Sequence, residues 1–169
     1  QATVFYGVPT LYEYLKDRDP ERLWRFANRI FEPVWNTHHI ERVEIMWDET
    51  ITAAGRASFY DATGALRDMV QNHLLQLLCL VAMEPPISFA ADDIRNKKVD
   101  VLRAIRPFHP DAIHRVAVRG QYRRGTVLGQ AVPGYREEPK VAPDSTTETY
   151  GAFTFDENST EVAARCPST

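Results

Sequence analysis

The 169-residue sequence is poor in cysteine. Its two, Cys79 and Cys166, lie far apart, one inside an apolar stretch and one near the end. That spacing excludes a disulfide framework and a cysteine-based zinc site, and it makes a reducing, cytoplasmic compartment the default. An excess of one charge is also missing: 20 Lys and Arg stand against 23 Asp and Glu, a net charge of −3. With no basic surplus to track a phosphate backbone, no nucleic-acid partner is expected. Hydrophobic runs are short. The longest falls well below a bilayer span, so no membrane partner is expected either, and no signal peptide is expected at the start. No internal repeat is present. The chain opens on Gln1 rather than Met, which predicts a processed, excised or partial chain. Its length fits one domain, large enough to bury a core without covalent staples.

What is present is a mixed pattern. In "PERLWRFANRIFEPVW" (20–35) Leu23, Phe26, Ala27 and Ile30 recur at helical spacing, with Pro20 suited to the first turn and Pro33 ending the helix. In "ERVEIMWDET" Val43, Ile45 and Trp47 alternate with Glu44, Met46 and Asp48, which predicts a strand. Glu49 continues the apolar face of that strand, where a carboxylate needs partners because burying a bare charge is costly. A long helix is expected from near Asp61 to about Met83, stopped by Pro85 and Pro86. Its polar residues cluster in the first half and its second half is apolar all round, so its start should face a polar cleft and its end a core. A further helix is expected over 91–106, with Asp92 and Asp93 in its first turn and Arg103 and Arg106 near its end. Strands are expected over 113–122 and 145–155, with a polar loop between them holding Gly125, Gly129 and Gly134. The stretch 156–169 has no clear periodicity. The order helix, strand, helix, helix, strand, strand predicts an α+β fold, an antiparallel sheet packed against helices. Three or four strands are thin cover for so apolar a helix, so more strands are expected from elsewhere.

The stretch "RDMVQNHLLQ" (67–76) carries the most pointed question, because His73 lies among leucines. One reading is a core histidine with a satisfied hydrogen bond. The other is a general base, for which a ring that titrates near neutrality is suited. Asp68 lies five residues earlier, about 140° round an α-helix, too far to be the obvious orienting partner. It could still reach the same cleft and accept hydrogen bonds from a hydroxylated ligand, or serve only as an acid near a helix start. Glu49 has the same two readings: a sugar-binding carboxylate, or a structural partner for an arginine such as Arg56 or Arg67. The pairs His38–His39 and His109/His114 do not set two rings on one helical face, so no metal is expected. The glycines of 125–134 do not lead from a strand into a helix in the phosphate-cradling pattern.

The segments "RFANRIFEPVWN" (25–36), "ALRDMVQNHLLQLLCLVAMEPP" (65–86), "VRGQY" (118–122) and "STTET" (145–149) resemble glucose-6-phosphate dehydrogenase, in order and in register over 25–155. Residues 1–24 and 156–169 diverge. The resemblance implies the start of that family's large C-terminal α+β domain, with the nucleotide-binding domain and the remainder of the sheet outside the chain. It implies an oxidoreductase of the pentose phosphate pathway that oxidises glucose 6-phosphate at C1 to the lactone and reduces NADP. It places His73 at the family's proton acceptor, and Asp68 and Glu49 at its sugar-binding carboxylates. An apolar wall also favours the uncharged ring that a proton acceptor needs. Arg25 and Arg56 keep the family's spacing to these residues. The family's "DHYLGKE" motif, source of the aspartate that orients the base, falls in register near Thr10–Lys16. This chain reads "TLYEYLK" there; Tyr12 or Tyr14 and Lys16 echo the motif, but its histidine and aspartate are absent. Glucose 6-phosphate or a similar sugar phosphate is the expected ligand. The expected partners are a second copy of the chain, since the family pairs through its sheet, or the missing segments of the same enzyme. Alone, the chain is expected to be nearly inactive; the alternative is a non-catalytic scaffold or dimerisation module.

Overall fold

The computed structural model describes residues 2–6, 33–48, 53, 55–156 and 160–165. Strand β1 is Ala2–Tyr6 and β2 is Arg42–Asp48; helix α1 is Ala57–Ala65. The chain continues through a π-helical segment, Leu66–Leu74, into α2, Leu75–Ala82. Helix α3 is Ala91–Ala104, and a short α4, Ile113–Val116, leads directly into β3, Ala117–Gly120. Strands β4 (Gly125–Val127) and β5 (Gln130–Val132) form a hairpin, followed by β6 (Tyr150–Asp156) and β7 (Thr160–Arg165).

The expected α+β class holds: helices pack on a five-stranded sheet of order β1-β2-β7-β6-β3. Its β3–β6–β7 half is antiparallel. Strand β2 pairs in parallel with β1 on one side and β7 on the other. The additional strands therefore come from the two end segments, where no strand signal had been read. Both are short and lie beside β2, whose alternating Ile45 and Trp47 are buried as expected.

Two expected strands are shorter than their patterns suggested. Residues 113–116 are helical, because Pro110 opens a tight turn whose Asp111 N–H donates to His109 Nδ1 at 3.4 Å, and this turn feeds α4. Residues 145–149 stay out of β6. The Ser145 hydroxyl accepts from Thr147 N–H at 3.2 Å, and the Thr147 hydroxyl donates to the main-chain oxygen of Asp61 at 2.6 Å. Such local side-chain bonds compete with a strand ladder. The glycine-containing loop also differs from expectation, since it folds into the β4–β5 hairpin.

The helix expected from 61 to 83 spans nearly that range but is not one rod. It starts at Ala57, breaks at Gly64, and ends at Met83, whose backbone turns extended at ψ 147° before the prolines. One core gathers Ile45 and Trp47 from β2 with Val70, Leu74, Leu77 and Leu78. Burying each such leucine contributes about 2 kcal/mol, so the segment flanking His73 is held against the sheet from both sides. A second core gathers Ala53, Ala57, Tyr60, Ala65, Tyr122, Tyr135 and Val141 around α1. Helix α3 runs close to its expected 91–106 and packs on α2, but it buries none of its residues; Ile94, Val101 and Ile105 are half-buried and Leu102 is exposed.

Candidate functional site

The winding between Leu66 and Leu74 decides the local geometry. The N–H of Leu75 donates to Val70 O, five residues back. An i→i+5 ladder is wider than an α-helix, with more residues per turn. Asp68 and His73 are five apart, so this winding narrows the angle between them. The α-helical wheel had set them about 140° apart, and the π turn corrects that separation.

Asp68 is buried, and its Oδ2 accepts from Arg56 Nη2 at 2.8 Å. Arg56 is the residue preceding α1, and its guanidinium also lies over the Phe59 ring, 5.7 Å from the centroid. Arg56 is therefore a partner of Asp68; its expected pairing with Glu49 lies outside the described residues. A buried carboxylate held at one oxygen by an arginine keeps its other oxygen for a further donor. His73 is half-buried and stacks on Trp47 of β2, with centroids 6.1 Å apart and planes at 18°. Leu74, the next residue, is completely buried. The imidazole thus sits where the apolar core meets the polar start of the segment. Glu49, two residues beyond Trp47, lies outside the described residues, as do Arg25, the 10–16 segment and the expected helix in 20–33 apart from its end at Pro33.

A polar brace holds the elements that carry these residues. Tyr122 Oη accepts from Ala53 N–H at 3.3 Å and donates to the buried Glu138 at 3.0 Å, which pins the chain at Ala53. Asp61 on α1 accepts at Oδ1 from the Ser145 hydroxyl and from Tyr135 Oη, the latter at 3.0 Å. The Ser145 hydroxyl is the chief cause that holds the Asp61 carboxyl below the usual aspartate range; burial opposes it, and the hydroxyls of Tyr135 and Thr147 assist. At the helix break, Glu148 accepts from Ala65 N–H with its main-chain oxygen and from Leu66 N–H with Oε1, at 3.0 and 3.1 Å. Neither Glu148 nor the Tyr122–Glu138 contact was read from the sequence. The available signal was Gly64, a glycine within a helical pattern.

The histidine pairs are engaged locally: His39 Nδ1 is 3.1 Å from Asn36 Oδ1, and His109 accepts from Asp111 as described. Among the described residues, no three His, Cys, Asp or Glu side chains converge on a point that could hold a metal. No helix among them is long and apolar enough to cross a membrane.

Comparison with known proteins gives a consistent result. The family model described as "Glucose-6-phosphate dehydrogenase, C-terminal domain" matches residues 22–163. The chain is 50% identical to the glucose-6-phosphate 1-dehydrogenase of Bacillus subtilis over 128 residues, covering 76% of this chain and 26% of that protein. It is 52% identical to that of Chlamydia pneumoniae over 129 residues, 76% of this chain and 25% of the relative. Among solved structures, the glucose-6-phosphate 1-dehydrogenase of Mycobacterium avium superposes with a TM-score of 0.73 at 40% identity, over 92% of this chain and 33% of that one. A glucose-6-phosphate dehydrogenase in complex with its substrate glucose-6-phosphate superposes with a TM-score of 0.69 at 33% identity, over 85% and 30%. The chain thus spans about a quarter of the length of the curated relatives it matches.

Proposed function

The chain belongs to the glucose-6-phosphate dehydrogenase family, and from that premise we propose that it carries the proton acceptor and part of the sugar site of such an enzyme. His73 takes the proton from the C1 hydroxyl of glucose 6-phosphate as the sugar is oxidised to the lactone. Asp68, through the oxygen not used by Arg56, and Glu49 accept hydrogen bonds from sugar hydroxyls. The observation that supports this reading is the π-wound segment, which carries both a buried, arginine-held carboxylate and a half-buried imidazole. The place of the reaction is the pentose phosphate pathway, in the cytoplasm.

Bound NADP would supply the hydride acceptor. The described residues do not fit a dinucleotide, since the glycines of 125–134 lie in and beside the β4–β5 hairpin and not between a strand and a helix. The cofactor is assigned to the part of the enzyme outside 25–155. Misplacement of reacting groups costs orders of magnitude in rate, so the chain alone should form no substantial NADPH from glucose 6-phosphate and NADP.

Sugar binding tests the reading directly. In the purified chain, glucose 6-phosphate should perturb the NMR resonances of His73 and of the 66–74 amides. Asp68→Asn should weaken that binding by roughly tenfold or more, the loss expected of a hydrogen bond to a charged group. Unmoved resonances, or equal affinity in the variant, would refute it.

A second reading, a pairing module without catalysis, draws on β1 and β3, the outer strands of the sheet, each paired on one side only among the described residues. Self-association through such an edge, or pairing with the rest of the same enzyme, would appear in sedimentation of the chain. A monomer at high concentration argues against it.

A further inference from the structure

We propose that Glu148 is a positioning residue: it caps, from outside the helix, the segment that carries Asp68 and His73, and so sets where those two side chains stand. The proposal rests on the reading of His73 and Asp68 as site residues for its consequence, but not for its geometry.

Gly64 has φ 74° and ψ 168°, so the helix must break there and restart. A restarting helix has N–H groups without partners inside it. Two of them are met by one residue far along the chain. Ala65 N–H donates to the Glu148 main-chain oxygen at 3.0 Å and Leu66 N–H to its Oε1 at 3.1 Å. A carboxylate at a helix start is favoured by the peptide dipoles as well. Leu66 is also the first residue of the π-wound stretch. The cap therefore acts where the wider winding begins, and that winding narrows the angle between Asp68 and His73.

Glu148 is itself held in place. Its side chain is 12% exposed, and Arg119 Nη1 lies 3.7 Å from its Oε2. The neighbouring Thr149 is fully buried, donates its N–H to Gly120 O at 2.8 Å and accepts from Tyr122 N–H at 2.8 Å through its hydroxyl. The carboxylate is thus anchored to the end of β3 and transmits that anchoring to the helix. Position 64 must be glycine for the same reason, because a Cβ there would lie 2.9 Å from the Glu148 Cδ and closer still to Oε1.

The test compares three variants of the chain by amide exchange and by the ring-proton shifts of His73, which the stacked Trp47 makes sensitive to small displacements. Glu148→Ala should speed exchange of the first amides of the 66–74 segment about fivefold, the factor of a lost helix cap, and should move the His73 shifts. Glu148→Gln keeps an acceptor oxygen and should restore both to wild-type values. Glu148→Asp keeps the charge but withdraws the oxygens by one methylene, so it should resemble the alanine variant and stands in for it if that chain does not fold. Unchanged exchange and His73 shifts in Glu148→Ala, or a glutamine variant that behaves like alanine, would overturn the proposal. Adding glucose 6-phosphate to the wild-type chain separates the two ideas. If His73 does not respond to the sugar, the functional reading falls, while the capping result stands or falls on the variants alone.

Discussion

Replacing Gly64 by alanine should destabilise the fold, and local rules give the opposite sign. In an ordinary helix interior, Gly→Ala stabilises by about 1 kcal/mol, because glycine loses more backbone freedom on folding. Gly64, however, holds φ 74° and ψ 168°, a combination open essentially to glycine alone, and forcing another residue into it costs about 1–3 kcal/mol. The added methyl group would also meet the Glu148 carboxylate. Glu148 must then retreat, and Leu66 N–H loses a charged acceptor worth about 1.5–3 kcal/mol. The two contributions sum to about 2.5–6 kcal/mol. Urea unfolding followed by circular dichroism measures this. With a slope of about 2 kcal/mol/M, the midpoint should fall by roughly 1.2–3 M. Adding Glu148→Ala separates the terms, because in that background Gly64→Ala should cost only the backbone part, about 1–3 kcal/mol. A midpoint that rises, or that moves by less than about 0.25 M, would show that the helix runs unbroken through position 64.

Arg56→Ala should destabilise by about 2 kcal/mol, between the value of an exposed pair and that of a buried one, since the Asp68 side chain is 12% exposed while that of Arg56 is 62% exposed. A double-mutant cycle with Asp68→Asn should return a coupling of about 1–2 kcal/mol, and a coupling within about 0.3 kcal/mol of zero would refute the pairing. Asp61, held below the usual aspartate range chiefly by the Ser145 hydroxyl, contributes stability that is full above the ordinary aspartate pKa and is lost as pH falls through its lower folded value. Unfolding midpoints measured from neutral pH into that acidic range should therefore fall more steeply for wild type than for Asp61→Asn, and parallel curves would exclude the contribution.

Much of the candidate site could be read in one stretch of sequence, because its signal is local. His73, Asp68 and the surrounding leucines lie within eleven residues, and their order alone marks the core-facing helix. The strand carrying Trp47 was legible for a similar reason: alternation at period two follows from one buried face. What bears on those residues from a distance was not legible. Glu148 lies 82 positions beyond Leu66, and nothing in "STTET" distinguishes a capping acid from a surface one.

The sequence by itself determined the family, through the resemblance of its motifs, and also the α+β class, the helix around His73 and the strand before Glu49, since these rest on spacing between near neighbours. Tertiary structure alone decided that the end segments enter the sheet as β1 and β7, that Gly64 breaks the helix, and that the segment carrying Asp68 and His73 is π-wound. The physical reason is common to all three. Short terminal strands have too little pattern of their own and form because β2 offers unpaired backbone groups on both sides. A helix breaks or widens where a distant side chain accepts its free N–H groups, and no periodicity within the helix records that acceptor.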